Sequence, residues 1–309
     1  MSEMSTTGIP ALRVVSLLAS GTEIVCALGA GEWLVGRSHE CDNPAWVQGL
    51  PACSEPAFDV LGSSGSIDRE VRRRIHAGEP LYRLDDARIA ELRPDLVIAQ
   101  AHCEVCAVTP GDVERSGCGT MQVMALTAGS LGGVFEGMQR VADALGLAEQ
   151  GQALVARELA RLAAVTERCE RHRPVSVVLL EWVDPVFAMG NWGPELLTAA
   201  NGRLLIGTAG EHSQAMAWER VVEADPEVLV VAPCGFGLDR ALSERGVLEA
   251  LPGWASLRAV RAGRVAYADG NLYFNRSGMT VVRTAEILAE ILHGEVFGER
   301  TEGLAWRWV

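Results

Sequence analysis

Short β-branched runs alternate along this chain with longer stretches whose apolar positions recur at helical spacing, the pattern of parallel sheets covered by helices. In the first half the pattern predicts strands at 13–17, 34–37, 96–99 and 122–125; in the second half it predicts them at 175–180, 228–231 and 265–267. The first strand runs into Ala19-Ser20-Gly21-Thr22-Glu23 and then an apolar stretch at 24–28 that Gly29 and Gly31 stop. A helix is expected there, capped by Ser20 or Thr22. Further helices are expected at 68–77, after a loop-like Gly- and Ser-rich segment at 59–66, and at 281–292.

Between the halves, residues 148–171 carry Leu154, Leu159, Leu162 and Val165 among charges, with no Gly or Pro after Gly151. This reads as one continuous helix, roughly 30 Å or more long at about 1.5 Å per residue. The expected fold is therefore α/β. It has two Rossmann-like lobes with central, mostly parallel sheets, joined by the long helix, and a ligand cleft between the lobes. The divisions are an N-terminal lobe at 1–147, the linking helix at 148–172 and a C-terminal lobe at 173–309.

A length of 309 residues with 49% hydrophobic content supplies cores for two such lobes. A formal charge of −13 disfavours nucleic acid and anionic membrane surfaces, which reward clustered Lys and Arg. The one basic cluster, Arg72-Arg73-Arg74, reads as a solvated helix face. No run approaches the roughly 20 apolar residues of a membrane span, so no membrane insertion is expected. The opening MSEMSTTGIPAL lacks the regions of a secretory signal, so a cytoplasmic location is expected; a periplasmic or cell-surface one would need a leader. Eight scattered cysteines then read as reduced thiols.

Open α/β sheets bind ligands outside the carboxyl ends of their strands. The candidate ligand contacts there are Ser20, Thr22, His39, Glu40, Gln100 and His102 in the first half. In the second half they are Glu181, Trp182, Phe187, Trp192, Phe236, Tyr273, Phe274 and Arg276. Aromatic faces with a few polar groups suit a large flat ligand. Trp182, Trp192 and Phe236 read equally well as packing residues. Cys103 and Cys106 form a C-x-x-C pair beside His102, and with His39 they make a candidate metal-ligand set. A second such pair is missing, so ordinary buried thiols are the competing reading. No G-x-S-x-G, P-loop, G-x-G-x-x-G or H-E-x-x-H pattern is present, and no catalysis is expected.

The run Val14-Val15-Ser16-Leu17-Leu18-Ala19-Ser20-Gly21-Thr22-Glu23 resembles the opening of the helical-backbone (class III) ABC-transporter substrate-binding proteins. So do Leu92-Arg93-Pro94-Asp95-Leu96 and Ala224-Asp225-Pro226-Glu227-Val228, one in each lobe. That family binds cobalamin, haem and iron-siderophores. Ser38-His39-Glu40-Cys41-Asp42, Cys103-Glu104-Val105-Cys106 and Pro233-Cys234-Gly235-Phe236-Gly237 resemble its cobalamin-binding branch without signal peptide. The resemblance implies non-catalytic binding of cobalamin or a related corrinoid, with Arg276 as a polar contact. It also implies an ABC permease partner that docks on an acidic residue of each lobe. Glu219 matches the second of these positions, whereas Ala87 occupies the first, with Asp85 and Asp86 nearby. The alternative implied is a haem, iron-chelate or metal-ion binder of the same fold.

Overall fold

A computed structural model describes residues 12–101, 107–109, 111, 113, 121–298 and 300–309. The chain forms two compact units. The first comprises Met1–Gly62, Arg69–Ala128 and Gly132–Ala156; the second comprises Ser63–Asp68, Gly129–Leu131 and Arg157–Val309.

In the first unit, β1 (Val14–Ser16), β2 (Leu34–Arg37), β5 (Leu96–Gln100) and β6 (Gln122–Leu126) form a parallel sheet in the order β2-β1-β5-β6. The central strands β1 and β5 are buried along their whole length, which is why they read as unbroken apolar runs. The short strands β3 (Ser54–Pro56) and β4 (Tyr82–Leu84) pair antiparallel as a separate ribbon. The four strands of the main sheet lie where the sequence predicts them, to within one residue at each end.

Helix α1 (Ala19–Ala27) starts two to four residues earlier than a cap at Ser20 or Thr22 predicts. Its N-cap is Leu18, with no side-chain cap bond, so neither Ser20 nor Thr22 caps it. Both lie in its first turn and are buried, because Gly21 lets the helix press onto the sheet: a Cβ there would stand 2.8 Å from Ile98 Cγ2.

Helix α2 (Ser64–Ala77) also starts early, inside the segment expected to be a loop. The reason is tertiary. Ser64 donates from its backbone N–H to the Glu244 carboxylate at 3.3 Å and from Oγ at 2.6 Å, and Ile67 packs against the second unit's core. A carboxylate at a helix start satisfies unpaired N–H groups and complements the dipole. Arg72 and Arg73 are exposed, as expected of a solvated face, and Arg74 is part-buried. Arg73 bonds Glu70 and Glu79, and Arg74 bonds Glu70 and the Pro80 carbonyl.

Helices α3 (Asp86–Leu92) and α4 (Leu131–Ala144) follow, and then α5 (Ala148–Cys169), the expected long helix. Its buried stripe is Gly151, Leu154, Glu158, Val165 and Cys169. Of the predicted apolar positions Leu154 and Val165 are buried and Leu162 is half-buried, but Leu159 is 46% exposed and the neighbouring Glu158 is buried in its place. Glu158 accepts from Arg157 at 3.1 Å and Arg161 at 2.7 Å, and Arg161 reaches Glu286 at 2.8 Å. Glu286 also accepts from Arg283 at 2.7 Å.

In the second unit the seven-stranded sheet runs from β7 (Val175–Val183) outward. Strand β7 pairs in parallel with β9 (Gly202–Leu204) and β11 (Val228–Val231), and β11 with β12 (Val265–Ala268). Antiparallel neighbours are β8 (Val186–Ala188), β10 (Gln214–Ala215) and β13 (Trp306–Trp308). The sheet is therefore mixed. Its helices are α6 (Gly193–Ala199), α7 (Glu219–Ala224), α8 (Leu238–Ser243), α9 (Arg245–Glu249), α10 (Arg258–Arg261), α11 (Val281–Leu292) and α12 (Gly294–Phe297). The core sets Leu180, Leu229 and Val231 against Trp218, Val221 and Leu248.

The Arg-Pro-Asp and Asp-Pro-Glu signatures have one physical role in both units. Helices α3 and α7 each end on a left-handed residue, Arg93 at φ 43° and Asp225 at φ 39°, and proline follows. The next carboxylate then bonds the amide at the start of the neighbouring strand. Asp95 accepts from Arg13 N at 2.8 Å and Glu227 accepts from Ser176 N at 3.0 Å.

Candidate functional site

At the carboxyl ends of β1 and β2 the hydroxyls and a thiol of the first unit form a buried knot. Thr22 donates to Cys41 Sγ at 3.0 Å, the thiol donates to the Ser16 carbonyl at 3.7 Å, and Ser38 Oγ lies 3.3 Å from the sulfur. Burial pushes the Cys41 thiol's pKa up, so it is a neutral S–H donor. Ser20 Oγ is buried and meets no partner among the described residues. Glu23 is buried as well and accepts from Asn43 at 2.8 Å. Gln100 closes β5, its backbone N–H donating to Val108 O at 2.9 Å.

His39 follows β2 and sits on the β3–β4 ribbon. Its Nδ1 lies 3.0 Å from Ser54 Oγ, its ring centroid 5.5 Å from that of Tyr82, and its Nε2 4.0 Å from a Glu40 oxygen. Burial, followed by the Arg37 charge, lowers its pKa from 6.5 to about 4, against a smaller opposing effect of Glu55. The ring is neutral at physiological pH. The unfolded chain takes up a proton here below its pKa of 6.5 that the folded chain refuses until about 4, so acid weakens the fold across that window. His39→Gln should remove a loss of roughly 2–3 kcal/mol, measured as a flatter pH dependence of the urea midpoint between those limits.

His102, Cys103, Glu104 and Cys106 lie outside the described residues. Among the described residues no group of three or more His, Cys, Asp or Glu side chains is arranged to hold a metal ion.

In the second unit β7 runs three residues past its predicted end, so Glu181 and Trp182 stand within the strand rather than after it. The register shifts between Leu180 and Trp182, a bulge that re-aims the next side chains. Trp182 pairs across the hairpin with Phe187, and its ring centroid lies 5.1 Å from that of Phe236. Its indole donates to the Asp184 carbonyl at 3.0 Å. The Arg240 guanidinium lies 4.5 Å over the Phe236 ring, a cation–π contact.

After β12 a five-residue π-turn, Gly270–Phe274, is held by Asp269, which accepts from the amides of Asn271 and Leu272 at 2.9 and 2.7 Å. A Cβ on Gly270 would meet the Pro233 carbonyl oxygen at 2.1 Å, so only glycine lets the loops after β11 and β12 touch. Gly270 and Asn271 both donate to the Phe236 carbonyl. Arg276, 5% exposed, donates from Nε to Asn271 O at 3.1 Å.

The fold thus brings Trp182, Phe187, Phe236 and Arg276 onto loops and a hairpin at one end of the second sheet. Trp182, Phe187 and Tyr273 are half-buried, whereas Phe236, Arg276 and Trp192 are each buried at 5% exposure and Phe274 at 1%. Glu219 is exposed at the start of α7; Asp85 is the N-cap of α3 and accepts from Arg88 N at 3.0 Å. Sequence reasoning missed Ser54, Tyr82 and Arg240. Tyr82 was detectable as one of only three tyrosines, in an alternating Leu-Tyr-Arg-Leu run.

The Periplasmic binding protein family matches residues 14–272, well over half of the chain. The chain belongs to that family. Its members are binding proteins. The Vitamin B12-binding protein of Vibrio campbellii is 25% identical over 249 residues, 80% of this chain and 78% of that protein. An uncharacterized ABC transporter substrate-binding lipoprotein of Bacillus subtilis, YvrC, is 22% identical over 293 residues, 93% of this chain and 82% of that one. Among solved structures, the periplasmic heme-binding protein RhuT of Roseiflexus sp. RS-1 matches with a TM-score of 0.67 and 26% identity, covering 94% of this chain and 100% of that one. These descriptions are periplasmic or lipoprotein, so the expected cytoplasmic location gains no support from them. No helix among the described residues is long and apolar enough to cross a membrane.

Proposed function

We propose that this periplasmic-binding-family chain captures cobalamin or a closely related corrinoid and presents it to an ABC permease. The observation that carries the reading is the half-buried aromatic pair Trp182 and Phe187, backed by the buried Phe236, at the strand ends. A corrin is broad, largely apolar and edged with polar side chains, which such a surface suits. The 25% identity to a vitamin B12-binding protein supports the same choice. On the first unit the half-buried His39 and Glu40 are the candidate polar contacts, whereas the Ser20 hydroxyl is buried without a partner among the described residues. Binding needs no catalytic group, and the exposed Glu219 is the residue offered to the permease.

A second reading, haem or an iron chelate, is favoured by the 26% identity to a heme-binding protein and by the neutral His39 imidazole, a competent iron ligand. His102, Cys103 and Cys106 would complete such a ligand set.

Titration of the purified chain with cyanocobalamin and with haemin separates the two. A saturable change in the corrin absorbance and a rise in Tm with cyanocobalamin are expected, a ligand at about 100 times its Kd adding roughly 2.7 kcal/mol. Stabilisation by haemin alone would replace the first reading with the second. No response to either would overturn both.

A further inference from the structure

Away from the strand ends just described, the second unit holds a cleft of about 490 Å³ at the opposite, amino-terminal edge of its sheet. Val175 of β7, Gly263 and Arg264 ahead of β12, the last turn of α11 and Trp308 of β13 line it. The volume is in the range of small-molecule sites, about 300–1,000 Å³. None of the candidate ligand contacts above is among its lining residues.

Two arginines and two glutamates line this cleft, and the ion pairs they make leave Arg264 without a directly bonded carboxylate among the described residues. Glu290 is committed, accepting from the Thr301 amide and hydroxyl with one oxygen and facing Arg283 at 3.8 Å with the other. Arg173 is paired with Glu227 at 2.6 Å. His293 donates from Nε2 to the Ala200 carbonyl at 3.1 Å, with the His172 ring centroid 5.4 Å from its own. Arg264 is half-buried and enters no ion pair among the described residues. Its Nη2 donates to the carbonyls of Ile291 and Leu292 at 3.2 and 3.4 Å, which fixes the guanidinium at the helix end, and the Trp308 ring lies 5.8 Å away. Burial accordingly draws its pKa down. Glu295 is the remaining acid, exposed on the rim.

A half-buried guanidinium that no carboxylate touches, with Glu227 and Glu295 acting on it only through space, keeps hydrogen-bonding capacity to spare, and held at one nitrogen it still offers a fork to two oxygens. We propose that this cleft is a binding site for a small oxyanion, phosphate or carboxylate, taken by Arg264 with His172 beside it and a flat group laid on Trp308.

Calorimetric titration of the full chain with inorganic phosphate, and separately with acetate, tests this at constant ionic strength; the tighter probe identifies the oxyanion class. Saturable binding is expected, weakened about tenfold in Arg264→Lys, the effect of losing one charge-assisted hydrogen bond. His172→Gln, which leaves the bonds to α11 intact, should weaken it as well, and melting without anion verifies that both variants fold. Absence of saturable binding with both probes, or affinity unchanged in both variants, would overturn the site.

Discussion

Arg161→Ala will lower the unfolding free energy by about 2–3 kcal/mol, and Tm by roughly 5–10 °C, although the residue is not among the candidate ligand contacts. Arg161 is the hinge of a charge chain that runs Arg157, Glu158, Arg161, Glu286, Arg283 and Glu290. Glu158 and Glu290 have side chains only 2% and 4% exposed, so their charges are tolerated because the arginines satisfy them. Removing Arg161 takes one partner from Glu158 and one from Glu286 at once. Burial tends to raise the Glu286 pKa, but the bonds from Arg283 and Arg161 outweigh it and hold the carboxyl below its ordinary 4.5. That contribution is present above the ordinary pKa and fades as pH falls through the lowered one. The variant should therefore lose most at neutral pH and converge on the parent in acid. Equal denaturation midpoints at pH 7 would show that the chain of charges is ornamental.

Trp182→Ala should weaken corrinoid affinity by about thirtyfold or more, the roughly 2 kcal/mol cost of losing an aromatic hot spot. Three features single it out. It is half-buried, it sits just past a bulge, and its neighbours Phe187 and Phe236 keep the patch in place around the gap. Affinity within about twofold of the parent, in a variant that melts normally, would remove the aromatic group from the ligand surface.

Much of the fold was legible because parallel strands must be apolar on both faces. Strands 34–37 and 228–231 and helix 281–292 lie where the pattern puts them. Two of the errors share a cause: each depends on a partner distant in sequence. Ser64 starts a helix because Glu244 receives it, 180 residues away, and no local signal encodes that bond. Leu159 looked like the inward residue of the long helix, yet Glu158 is the buried one, supported through Arg161 by Glu286, 125 residues from that arginine. Hydrophobic periodicity assigns a buried glutamate to the surface. The end of β7 was misplaced for another reason: the bulge interrupts the alternation at Glu181. At the candidate site, residue types and strand ends were readable. That Thr22 is engaged with Cys41, or that Arg276 is bonded to Asn271, was not.

The stripe on α5 also limits how this protein can change length. Gly151, Leu154, Glu158, Val165 and Cys169 stay on one face only while they keep their helical phase. A single inserted or deleted residue turns everything beyond it by about 100°. An insertion before Glu158 would swing that carboxylate out of the stripe and carry Val165 and Cys169 out with it. Descendants of this chain can therefore lengthen or shorten the helix only by steps near a whole turn, three or four residues, or seven for two turns, and the same holds for anyone splicing its halves to those of a relative.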